Sequence, residues 1–194
     1  AQFDTAIEPF YGAPQSIYSD HYQWLAGAEG PMGYKLEVPP LHPGFSAVLM
    51  MGQGQSQADD VAQLANTSAM IALLRDGFHE ESIGGSVSLA DDDSPIVDYP
   101  LNDFVWEGMR RAHLSMAELQ FAAGAKRVRA AHQDGQWFES LSAFKHGQKT
   151  LAYQHHSCAV GCAQARRSSP VADDQALPPV LPLLLPSHPR PRRC

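Results

Sequence analysis

The stretch Gly84–Ala125, GGSVSLADDDSPIVDYPLNDFVWEGMRRAHLSMAELQFAAGA, constrains the fold more than any other part of the chain. Ser86–Leu89 reads as a short strand, the acidic run Asp91-Asp92-Asp93-Ser94-Pro95 as a turn, and Ile96–Tyr99 as the returning strand that ends at Pro100. A helix then opens at Asn102 or Asp103, whose side-chain oxygens can accept from the first free backbone N–H groups. Val105, Met109, Ala112, Met116, Leu119 and Ala123 recur at spacings of three and four, which predicts one apolar stripe, and Gly124 supplies the stop. A hairpin feeding a long amphipathic helix must be packed by other elements, so the remaining segments have to supply a sheet.

They supply it in pieces. Met32, Tyr34, Leu36 and Val38 alternate with Gly33, Lys35 and Glu37, a period of two that predicts a strand with one buried face, stopped by Pro39 and Pro40. Residues 1–31 show no period and predict irregular structure with one short strand at most. A short apolar helix is predicted from Pro43 to about Met51, with Pro43 in its first turn, and another over Asp59–Ala65. Ser68–Leu74, SAMIALL, is an uninterrupted apolar run of strand length and predicts a central strand covered on both faces. Lys126–Ala131 is expected to add a strand, and Trp137–Phe144 a short helix. Strands joined by hairpins, with helices on one face, define an α+β domain with a largely antiparallel sheet.

Composition limits the partners. The chain has 194 residues, is 44% hydrophobic and 18% charged, and so can build one ordinary core. A net charge of −7 gives no electrostatic footprint for nucleic acid. No apolar run approaches the ~20 residues of a membrane helix. The three cysteines, an odd number gathered at the C-terminal end, argue against a disulfide framework and for a reducing, cytoplasmic compartment. Seven prolines fall from Pro170 onward, so residues 157–194 form a proline-rich tail that can neither join a sheet nor continue a helix, distinct from a domain over residues 1–156.

Four stretches together resemble the substrate-side, C-terminal domain of the glucose–methanol–choline (GMC) oxidoreductases, FAD-dependent enzymes that oxidise alcohols. They are Pro9–Ser16 (PFYGAPQS), Gly33–Glu37 (GYKLE), Pro40–Gly44 (PLHPG) and the hairpin-helix unit with its P-x-x-D-Y-P and A-A-G-A segments. The resemblance spans about residues 5–156. It implies a partial substrate-binding domain, an alcohol as substrate, FAD as cofactor, and a separate FAD-binding domain as partner. No G-x-G-x-x-G follows a strand here, so the chain alone is expected neither to hold FAD nor to turn over. The family's active-site strand and its later Asn or His have no readable counterpart. That departure suggests a reading-frame shift near Ser157, which the source DNA would reveal as a continuation of the family pattern in another frame. A domain cut in this way would expose a sheet edge and apolar surface, so poor solubility is expected.

The resemblance also points to a base. In LAYQHHSCAVGC, His156 is the closer match to the family's catalytic histidine and His155 its neighbour, with Gly161-Cys162 in the place of the family's Gly and Cys. A histidine there would take the alcohol's proton while hydride passes to flavin. The residues alone leave other readings open: two histidines at a strand end, or zinc held by His155, His156, Cys158 and Cys162. The spacing is too local for a zinc knuckle, and adjacent strand residues point to opposite sides. His42 would lie near the substrate side by resemblance, and is by default a packed turn residue. Asp91-Asp92-Asp93 lacks the spaced ligands of a calcium loop and reads as a solvated hairpin tip. The rival reading of the whole chain is a non-catalytic small-ligand or protein-interaction module whose proline-rich tail docks an aromatic groove.

Overall fold

Asn102, in extended conformation, accepts a hydrogen bond from the Val105 N–H at 3.1 Å and starts the long helix at the residue after it. A computed structural model describes residues 1–13, 15–24, 29–50, 52–77, 79–131 and 135–149. Their order is β1 (Tyr18–Ser19), β2 (Tyr34–Glu37), α1 (Pro43–Leu49), α2 (Gln55–Ala62), a 3-10 turn (Leu64–Asn66), β3 (Ile71–Leu74), β4 (Ser86–Leu89), β5 (Pro95–Asp98), α3 (Asp103–Ala122) and α4 (Leu141–Gln148). The architecture is α+β with two small antiparallel sheets.

In the larger sheet β2 lies between β1 and β3, with Tyr34 opposite Leu74 and Leu36 opposite Ala72. Tyr34 and Leu36 turn the same way, are nearly fully buried, and pack with Ala112 of α3. The Tyr34 hydroxyl meets Ser115 Oγ at 2.7 Å and reaches the Arg111 carbonyl at 3.4 Å, which satisfies a buried phenol. On the opposite face Lys35 pairs with Glu37 at 2.6 Å and its ammonium lies 4.2 Å from the centre of the Tyr18 ring.

Three expectations need correction. The run Ser68–Leu74 makes an edge strand, not a central one, and Leu73 is half exposed; only the face carrying Ala72 and Leu74 packs against the core around α3. An unbroken apolar run does not separate the two cases, because Met70, Ile71, Ala72 and Leu74 serve the sheet, the core and a cavity in turn. The strand expected at 126–131 is reduced to isolated bridges, Gln2 with Arg127 and Val128 with Phe138. The helix expected from Trp137 begins only at Leu141, because the Ser140 hydroxyl caps the Ala143 N–H at 3.1 Å and Phe138 is held by its bridge to Val128.

The hairpin forms as expected, with its second strand one residue earlier than Ile96–Tyr99: Val87 lies opposite Val97, and Pro95 opposite Leu89 at the start of its strand. Its turn is closed by Asp92, which accepts from both the N–H (3.1 Å) and the hydroxyl (2.6 Å) of Ser94, and these bonds hold its carboxyl below its ordinary pKa. Both strands are exposed along their length, so this ribbon stands apart from the core.

The second part of the core lies where α4 meets α3: Ala117, Ala125, Val128, Ala130, Phe138 and Phe144 are buried together, with the two phenylalanine rings edge to face at 5.5 Å. Gly147 of α4 sits against the Phe138 ring, closer than any Cβ could come. Gly108 of α3 likewise lets the helix approach Met32 and Leu74.

Candidate functional site

A cavity of about 380 Å3 opens between α3 and the segments facing it. His113, Met116, Ala117 and Gln120, spaced at three and four along α3, form one wall. Thr67–Ile71, leading into β3, forms a second. Pro39–Leu41 with Ser46 and Met50 closes a third side, and Val128–Ala131 with Trp137 and Phe144 the fourth. Two prolines ahead of α1 hold the third side extended, since neither can enter a ladder or continue a helix. Most of the surface is apolar, and the volume lies at the small end of the ~300–1,000 Å3 usual for ligand sites.

The polar groups around the cavity are mostly engaged already. Gln120 Nε2 donates to Ser68 Oγ at 3.3 Å. Arg129 donates to Asp60 at 2.7 Å, both side chains largely buried, and its guanidinium lies 4.5 Å from the centre of the Trp137 ring. Arg127 approaches the same ring at 4.6 Å and donates to Gln2 at 2.7 Å. The Ala1 amine donates to the Ser68 carbonyl at 2.7 Å; burial first, and the Arg129 charge second, push its pKa down to about 5. Ser46 differs: its residue is 5% exposed and its hydroxyl has no hydrogen-bond partner among the described residues.

Of the residues singled out from sequence, His155, His156, Cys158 and Cys162 lie outside the described residues, as do the tail 157–194 and the departure near Ser157. Among the described residues no three His, Cys, Asp or Glu side chains gather as metal ligands. His42 is exposed at the N-cap of α1, makes no capping bond, and rests its ring near Gly44 at 3.6 Å from where a Cβ would stand. It is not a lining residue, though its neighbour Leu41 is.

His113 and Ser46 escaped the sequence reading. The signal for His113 was present: it falls four residues after Met109 and three before Met116, which puts a polar ring at the edge of the apolar stripe. Nothing in the sequence marks Ser46. No family model, curated protein or solved structure matches this chain.

Proposed function

We propose that this chain supplies the substrate-side wall of a GMC-type, FAD-dependent oxidoreductase acting on the CH–OH group of an alcohol, with the cavity as the alcohol's seat. One observation carries the reading: two of the stretches that bear the resemblance line the cavity, and the other two are hydrogen-bonded to those. α3 is one wall and Pro40–Leu41 another. The Leu41 N–H donates to the Pro9 carbonyl at 3.0 Å, which ties in the Pro9–Ser16 stretch, and Tyr34 joins Gly33–Glu37 to α3 through Ser115.

The described residues do not fit FAD itself. None forms a glycine-rich turn between a strand and a helix. The N-terminus of α3, where a pyrophosphate would sit, is capped by Asn102 and carries Asp103 in its first turn. Arg129, the guanidinium that lines the cavity, is paired with Asp60. Flavin would therefore come from a separate FAD-binding domain, and the base in this reading is His156, with His155 beside it. No helix among the described residues is long and apolar enough to cross a membrane.

A second reading has its own support. The predominantly apolar lining suits a non-catalytic small-ligand module equally, since burial of an apolar body needs no reacting group. Titration of the 194-residue chain with benzyl alcohol and with FAD, read by Trp fluorescence and by flavin absorbance, separates the cases. The proposal expects saturable alcohol binding and no flavin complex. A chain that binds no alcohol overturns it; a tight FAD complex overturns the statement that flavin must come from elsewhere. Reduction of FAD by benzyl alcohol, once a flavin domain is supplied, would exclude the non-catalytic module.

A further inference from the structure

We infer that Ser46 is the hydrogen-bonding anchor of the cavity, which selects a neutral ligand carrying one hydroxyl or carbonyl group on a small apolar body. The inference rests on the reading of the cavity as a ligand site and adds the residue that positions the ligand and the charge it must have. A serine inside a helix either points its hydroxyl to solvent or turns it back to the carbonyl four residues earlier. Here the His42 carbonyl receives the Ser46 backbone N–H at 2.8 Å, and the hydroxyl bonds to nothing described.

Leaving a hydroxyl buried without a partner is unfavourable, and alanine at this helical position would remove the cost. A group left in that state on a cavity wall needs an explanation, and a ligand oxygen is one. In the rotamer described the hydroxyl oxygen is itself shielded, so the anchor requires χ1 to step to another staggered position that turns it to an incoming oxygen. The guanidinium and the amine at the cavity are already matched and His113 is engaged as well, which favours a neutral partner. Arg129 is matched by Asp60, Gln120 by Ser68, and the Ala1 amine by the Ser68 carbonyl, so a carboxylate entering the cavity would find no unmatched guanidinium.

Four probes test this by calorimetric titration: benzyl alcohol, benzaldehyde, toluene and benzoate at neutral pH. The wild-type chain is expected to bind the first two, toluene more weakly, and benzoate not measurably. Ser46→Ala should weaken benzyl alcohol about fivefold, the equivalent of one net hydrogen bond, and leave toluene unchanged. Its thermal midpoint should not fall. Ser46→Cys, nearly isosteric and a weak donor, should lie between. Equal loss for toluene and benzyl alcohol, or loss for neither, overturns the anchor while the cavity stands as a binding site. If no probe binds the wild-type chain, the cavity reading fails and the anchor with it.

Discussion

Asp60 and Arg129 form a buried ion pair at the cavity. Both side chains are largely buried, and Arg129 donates to the Asp60 carboxylate at 2.7 Å. Removing one member strands a buried charge, which costs on the order of 3 kcal/mol. Asp60→Asn should therefore lower unfolding free energy by about that amount in urea denaturation. Glu107→Gln, which breaks the half-exposed pair with Arg110, should change it by less than ~1 kcal/mol. Equal effects would mean that burial does not govern these pairs. At this scale little was legible beforehand. The apolar stripe read from α3 holds at Val105 and Ala112, but Leu119 and Ala123 are exposed while Ser115 and Gln120 are buried. Those polar residues turn inward because Tyr34 and Ser68, 81 and 52 residues away in sequence, offer them partners. Pairings over such separations leave no local periodic trace.

Helices end where their caps allow, and the caps at both ends of α3 made it the element that sequence reasoning placed best, whereas the Ser140 cap of α4 went unread. Asn102 set the start of α3, Gly124 with φ +93° follows its end, and Pro43 lies in the first turn of α1. The β2 strand was legible as an element from its alternation, though not in all its faces: Tyr34 and Leu36 are buried as the alternation implies, whereas Glu37 is buried too and Val38 is exposed. The 126–131 segment was not legible: its apolar residues point into the α3–α4 core from bridges rather than from a continuous ladder. Close approach at Gly147 gives the test of that core. Gly147→Ala drives a methyl into the Phe138 ring, and overpacking of this kind costs about 1–3 kcal/mol. A lower thermal midpoint is expected, with partial recovery in Gly147→Ala/Phe138→Leu, where the ring is gone. A single variant as stable as wild type would show that α4 does not dock as described.

Across the molecule, the cavity-bearing body and the ribbon of β4 and β5 differ in kind. Val87 and Leu89 are 70% and 67% exposed and share a face with Pro95 and Val97, so the ribbon offers apolar surface while the core is formed elsewhere. Stability should also depend on pH through the Ala1 amine. Its folded pKa, about 5, lies below the 8.0 of the unfolded chain, so the unfolded state binds the proton more readily between the two values. Its contribution is fully present above pH 8 and lost as pH falls towards 5, with a slope of at most ~1.4 kcal/mol per pH unit. Acetylating the amine should flatten that part of the pH profile; an unchanged profile would place the amine in water. The most direct test of the account concerns the cavity between α3 and the Pro39–Leu41 segment. Calorimetric titration with 1-hexanol should compare the wild-type chain with Ala69→Phe, which fills the space from the Thr67–Ile71 wall. Saturable binding with a negative heat-capacity change is expected in the wild type, and none in a filled variant that still unfolds cooperatively. Absence of saturable binding in the wild type, or equal binding by both chains, would contradict it.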